Sequence, residues 1–280
     1  MDPLVTTDWL EGELGAADLR VVDSSFFLPG ERRDARSEHE AEHIPGAVFL
    51  DLDEVADTGS PFPHMLPSEA KLASRMQSLG IRDGARIVVY DNSPLHSAAR
   101  GWWMLKVFGA HYVAILDGGL QKWKAEGRPL ESGRPRVRHG HFTPSLDPSA
   151  VAGKDFVRSI LGAGSHEIVD ARSAARFAGE EAEPRPGLAP GHMPGARSLP
   201  QGRLFNADNS WKRGAALRAE FDAAGIDLAK PMVTTCGSGI TAAALLFGAH
   251  LLGKEDVRLY DGSWSEWGAN PALPKATGSG

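Results

Sequence analysis

The only cysteine of the chain, Cys236, stands where a strand runs into a helix. The run Pro231-Met232-Val233-Thr234-Thr235 reads as a short buried strand, Cys236-Gly237-Ser238-Gly239-Ile240-Thr241 as a loop, and Ala242 to Leu252 as a helix. Two glycines in the loop let its backbone fold around the sulfur and turn N–H groups inward, an anion nest. The helix that follows adds the positive end of its dipole. A thiol held there favours its thiolate, the form that attacks electrophiles. A lone cysteine is more often an inert core residue, and it is the glycine-rich cradle that favours a nucleophile.

Several chemistries use such a thiolate. A cysteine phosphatase needs an arginine six residues on to close the loop over phosphate, and that place holds Ala242. A papain-like protease needs a Cys–His pair with a third orienting group, on a fold unlike the one read below. A disulfide exchanger wants a second cysteine three residues on, where Gly239 stands. A ring of backbone N–H groups with no loop cation suits a persulfide carried on the cysteine itself.

The elements that must position this loop are written twice. His43-Ile44-Pro45-Gly46-Ala47 returns as His192-Met193-Pro194-Gly195-Ala196, and Val21-Val22-Asp23 as Ile168-Val169-Asp170. Leu79-Gly80-Ile81 returns as Ala224-Gly225-Ile226, and Leu116-Asp117-Gly118-Gly119 with Trp123 as Tyr260-Asp261-Gly262-Ser263 with Trp267. Constant order at a nearly constant offset means a duplicated domain. Within the first copy, β-branched strands near Val21, Ala47–Phe49, Ile87–Tyr90 and Val113–Leu116 alternate with helical stretches near Pro67–Leu79 and Ser97–Phe108. This predicts α/β domains, each a small, mainly parallel sheet flanked by helices. The expected division is residues 1–130, a Pro/Gly/Arg/His-rich linker 131–149, and 150–280, with Thr277–Gly280 a flexible tail. Aligning Val88-Val89-Tyr90 on Val233-Thr234-Thr235 sets Asp91 opposite Cys236, so the second copy does the chemistry while the first supports it and supplies residues to it.

The totals set outer bounds. At 280 residues with 42% hydrophobic and 24% charged side chains, the chain is an ordinary globular protein of about two domains. A net charge of −6 offers nothing to nucleic acid. No apolar run reaches the length of a membrane span, and Met1 to Val5 has the character of neither a basic start nor a signal peptide. A single cysteine forms no internal disulfide. Together these features predict a cytoplasmic protein without membrane or nucleic-acid partners.

The paired H-x-P-G-A motifs, the paired D-G-[GS] motifs near a tryptophan, and the loop C-G-S-G-I-T make the whole chain resemble the two-domain rhodanese-type sulfurtransferases. Thiosulfate-using members carry arginine and lysine after the cysteine. Gly237 and Ser238 resemble the branch that uses 3-mercaptopyruvate. The resemblance implies a transferase that moves sulfur from 3-mercaptopyruvate through a Cys236 persulfide to a thiol such as thioredoxin, or to cyanide, with pyruvate released and no cofactor needed. It implies that Arg176 and Arg185 bind the keto acid, since guanidinium forks grip a carboxylate. Otherwise they are solvated arginines offsetting Glu180, Glu181 and Glu183. Arg172 is a weaker candidate. It also implies that His64, oriented by Asp53, meets the Ser238 hydroxyl in a Ser-His-Asp arrangement that manages protons, while Gly237, Gly239, Ile240 and Thr241 line the persulfide. The plainer reading makes His64 a turn residue and Asp51 or Asp53 a helix cap. A thiosulfate sulfurtransferase and a non-catalytic persulfide carrier are the alternatives.

Two patterns are set aside. His39-Glu40-Ala41-Glu42-His43 satisfies the zincin pattern, but Pro45 and Gly46 end any helix there, and the twin His192 has no such partner. Trp102, Trp103, Trp264 and Trp267 are read as core, although Trp264 is also placed to line a substrate cleft.

Overall fold

The computed structural model describes residues 1–279, so Gly280, the end of the expected tail, lies outside the described residues. The chain forms two compact units. Unit 1 comprises Met1–Asp57, Leu66–Asp147 and Asn206–Trp211, and unit 2 comprises Thr58–Met65, Pro148–Phe205 and Lys212–Gly280. Each unit therefore includes one short loop drawn from the other half of the sequence. Segment 131–147, linker-like in composition, belongs to unit 1. Its Glu131 bridges to His43 in antiparallel fashion, and its His141 carbonyl accepts the Asp83 N–H.

In unit 1 the order is β1 (Leu4–Val5), α1 (Thr7–Glu13), β2 (Leu19–Asp23), α2 (Ala35–Ala41), β3 (Val48–Phe49), α3 (Leu52–Val55), α4 (Glu69–Ser78), β4 (Arg86–Tyr90), α5 (Ala98–Val107), β5 (Tyr112–Leu116) and α6 (Gly119–Ala125). Its five strands lie parallel in the order β1-β5-β4-β2-β3. Unit 2 repeats the plan with β6 (Val151–Ala152), α7 (Lys154–Ile160), β7 (Glu167–Asp170), α8 (Ala174–Ala178), β8 (Arg197–Ser198), α9 (Gly214–Ala223), β9 (Met232–Thr235), α10 (Ala242–Leu251), β10 (Val257–Tyr260) and α11 (Ser263–Trp267). Its sheet, again parallel, runs β6-β10-β9-β7-β8. Parallel strands covered on both faces read as unbroken apolar runs, which is why Ile87-Val88-Val89 and Met232-Val233 are buried. Helix α10 is apolar all round because Ala242 to Ala249 are all buried.

Sheet register decides where the chemistry emerges. β7 pairs with β9 so that Asp170 lies opposite Thr235, and β9 pairs with β10. The segments that follow these strands, from Ala171, Cys236 and Asp261, thus leave the same carboxyl edge of one sheet, where open α/β sheets bind ligands. Among the described residues, no helix is long and apolar enough to cross a membrane.

Candidate active site

The cysteine side chain is 2% exposed, and the Gly239 N–H donates to its Sγ at 3.1 Å. Gly239 achieves this with φ of +81°, a conformation that a side chain would strain. The backbone on either side of the sulfur is clamped by the segment after β10. The Cys236 N–H donates to Ser263 Oγ (3.2 Å), and the Trp264 N–H donates to the Cys236 carbonyl (2.9 Å). The Gly237 carbonyl accepts both the N–H (2.9 Å) and the hydroxyl (2.7 Å) of Ser265. Ser263 holds φ of +47°; its twin in unit 1 is Gly119, at +57°. Unit 2 accepts a strained serine there because its Oγ both takes the Cys236 N–H and donates to the Tyr260 carbonyl at 2.8 Å. Sequence reasoning found the D-G-S motif but missed this role, although serine opposite glycine in the twin was the available signal.

His64 belongs to unit 2 through its loop Thr58–Met65. It is 5% exposed, with φ of +60°, and its Nδ1 lies 2.9 Å from Ser238 Oγ. Its plainer reading as a turn residue and its expected place beside Ser238 thus describe the same geometry. Asp53 lies in unit 1, exposed in the first turn of α3, where the N-cap carboxylate of Asp51 takes its N–H at 3.1 Å. The cap is therefore Asp51.

The arginines separate into two kinds. Arg172 is wholly buried. Its Nε lies 3.0 Å and its Nη2 2.7 Å from Asp170 Oδ2, its Nη2 also donates to the Gly191 carbonyl (2.8 Å), and its Nη1 donates to Glu183 Oε1 (2.6 Å). With its guanidinium 4.5 Å over the Trp264 ring, it is a strut with no free edge for substrate. Trp264 is itself core, its indole N–H donating to the Ala189 carbonyl, and lines no cleft. Arg176, in the last turn of α8, keeps 17% of its side chain exposed. Its Nη2 donates to Glu183 Oε2 at 2.5 Å, and a Cβ built on Gly237 would stand only 3.0 Å from that same nitrogen. The bare Gly237 is thus what lets a guanidinium rest against the cysteine loop. Arg185 is half-buried on the loop two residues beyond Glu183.

The counterpart loop in unit 1 shows what the cradle becomes without sulfur. Asp91 Oδ1 accepts the Ser93 N–H (3.0 Å) and Oδ2 the Ala98 N–H (2.6 Å), so a built-in carboxylate occupies the nest. With His96, Gln121, Asn209 and Trp211 it lines a cavity of about 20 Å³, room for roughly one water molecule and not for a keto acid. Burial pushes the Asp91 carboxyl up to about 7, against the pull of its two N–H donors. A carboxyl raised in the folded state contributes stability at low pH and loses it as pH rises toward that value. Wild-type protein should therefore lose roughly 2–3 kcal/mol more stability between pH 5 and pH 8 than Asp91→Asn does. Urea denaturation of both proteins at the two pH values measures this, and parallel losses would refute it.

In the same unit His39 stands within α2, which ends at Ala41, so His43 lies beyond the helix. His39 Nδ1 pairs with Asp23 Oδ2 at 3.0 Å, and His43 Nδ1 pairs with the His39 carbonyl at 2.7 Å. Their rings stack 4.3 Å apart.

A Rhodanese-like domain model matches residues 6–126 and again 154–270. The chain belongs to the rhodanese-like family. It is 41% identical to the 3-mercaptopyruvate sulfurtransferase of Rattus norvegicus over 94% of this chain and 91% of that protein. It is 42% identical to the thiosulfate sulfurtransferase of Cricetulus griseus, with the same coverage on both sides. Its fold matches the crystal structure of SseA from Escherichia coli, which concerns the rhodanese fold of 3-mercaptopyruvate sulfotransferases. The TM-score is 0.87 at 37% identity, over 94% of this chain and 99% of that one. This rhodanese-family protein is thus an enzyme of the sulfurtransferase class, with two tandem domains of the expected parallel α/β plan.

Proposed function

We propose that the protein takes sulfur from 3-mercaptopyruvate and passes it, as a Cys236 persulfide, to a thiol acceptor. The observation that carries this reading is the Arg176 guanidinium against the bare Gly237 of the cysteine loop. It offers a charged fork to a donor carboxylate beside the sulfur, where the loop itself has no cation. In the first half-reaction the Cys236 thiolate attacks the donor sulfur. An S–S bond forms and the donor C–S bond breaks, its electron pair leaving as the enolate of pyruvate. Arg176 and Arg185 stabilise the charge on the carboxylate and keto oxygen. The persulfide S–H gives up its proton as the enolate takes one, and the hydroxyl of Ser238, bonded to His64, is the route on hand. The resemblance to the family adds Asp53 as the residue that orients His64.

The outer persulfide sulfur, facing the loop from Gly237 to Thr241, is then attacked by the acceptor, a small thiol or reduced thioredoxin, and the Cys236 thiolate is regenerated. Cyanide takes the same sulfur as thiocyanate. A cytoplasmic site of action, where thiols stay reduced, suits this cycle.

Overall identity does not separate the two donors, since relatives named for each match at 41% and 42%. The loop residues Gly237 and Ser238 favour mercaptopyruvate over thiosulfate. Initial rates with the two donors, read as pyruvate in one case and as thiocyanate or sulfite in the other, test the assignment. A higher kcat/KM on mercaptopyruvate is expected; a preference for thiosulfate would keep the persulfide and overturn the donor.

A further inference from the structure

Glu183 sits in the acidic run Glu180-Glu181-Ala182-Glu183, yet only its carboxylate is enclosed by two guanidinium groups. Its side chain is 2% exposed, whereas Glu180 and Glu181 stand in solvent. One oxygen takes Arg172 Nη1 at 2.6 Å and the other takes Arg176 Nη2 at 2.5 Å. Arg172 cannot yield, because the Asp170 carboxylate and the Gly191 carbonyl hold it from the other side. A chain of charge-assisted bonds therefore runs from the end of β7 through Asp170, Arg172 and Glu183 to Arg176, and ends against Gly237. Arg176 Nε, by contrast, is buried and has no hydrogen-bond partner among the described residues. That nitrogen is sealed from solvent, so a donor reaches Arg176 through the part of the side chain that stays exposed, 17%.

We propose that Glu183 is a positioning residue for the donor: it fixes Nη2 of Arg176 and so sets the direction in which the exposed part of that side chain meets the donor carboxylate. This rests on the mercaptopyruvate reading above. Glu183 also anchors the loop that carries Arg185 two residues later, so one carboxylate sets the approach of both arginines. Two simpler roles make opposite predictions. If Glu183 merely competed with the donor for Arg176, its removal would tighten donor binding. If it merely balanced charge, any carboxylate at the position would serve.

The test compares Glu183→Gln and Glu183→Asp with wild type, in KM and kcat for 3-mercaptopyruvate and in the rate at which iodoacetamide alkylates Cys236. Aspartate keeps the charge, and with it the fold should glutamine fail, but it is one methylene too short to reach both guanidinium groups. Both variants are expected to raise KM at least about tenfold while alkylation, which needs no arginine, stays near the wild-type rate. A lowered KM with Gln, a wild-type KM with Asp, or no change in either would overturn the proposal. Wild type that releases no pyruvate from 3-mercaptopyruvate would instead overturn the donor assignment and take this proposal with it.

Discussion

Cys236→Ser is expected to abolish sulfur transfer, with a loss of at least about 10⁴-fold in kcat, the scale seen when a covalent nucleophile is removed. The fold should survive, because the serine oxygen still accepts the Gly239 N–H and the clamp from Ser263 and Ser265 holds only backbone atoms of the loop. The chemistry should not survive. A hydroxyl in this cradle is not ionised at neutral pH, and an oxygen does not hold the transferred sulfur as a stable persulfide. No other thiol exists to substitute, since Cys236 is the only cysteine. The decisive measurement is a single turnover: wild type mixed with donor and no acceptor should gain one sulfur atom, seen by intact mass and released by cyanide. Cys236→Ser should gain none. Pyruvate release at an undiminished rate by the variant would end the persulfide mechanism.

How much of this was legible beforehand depends on the kind of residue. The duplicated motifs were readable because H-x-P-G-A and D-G-[GS] need particular backbone conformations, and such demands leave their mark in residue type. Gly46 and Gly195 both have positive φ, as do Gly119 and its twin Ser263, whereas Gly118 and its twin Gly262 differ, at +84° and −64°. The cysteine loop was readable for the same reason. The edge strands β1 and β6 were not, because two residues carry no period. Nor was the exchange of Thr58–Met65 and Asn206–Trp211 between the units, for loop composition says nothing about which core a loop joins.

The arginines mark the limit most sharply. Arg172, Arg176 and Arg185 look alike in sequence, beside three glutamates that look alike too. What separates them is burial and pairing. Asp170, at the last position of β7, captures Arg172, and the captured Arg172 in turn draws Glu183 inward. Only tertiary packing reveals that the nearest arginine is a strut and the next one is available.

Arg176→Met should lower kcat/KM for 3-mercaptopyruvate by about 10²–10³-fold. A hydrogen bond to a charged group is worth about 1.5–3 kcal/mol, so losing a fork of two costs up to roughly 6 kcal/mol, and imperfect geometry reduces that. Methionine keeps the apolar stem of arginine as far as the ε position, so packing along that stem changes little. Arg176→Lys should fall between, at about 10–30-fold, because a point charge at that site lacks the fork. Gly237→Ala should cost less than either, since the new Cβ, 3.0 Å from Nη2, displaces the guanidinium by only a few tenths of an ångström. The order matters more than any one value. If lysine is as damaging as methionine, fork geometry outweighs charge. If lysine matches wild type, charge alone suffices and the pairing with Glu183 has no catalytic purpose. If methionine itself retains wild-type kcat/KM, Arg176 does not bind the donor, and its place against the loop is only packing. Iodoacetamide alkylation of Cys236 run on all three variants separates these cases from a damaged cradle, because only damage to the loop slows it.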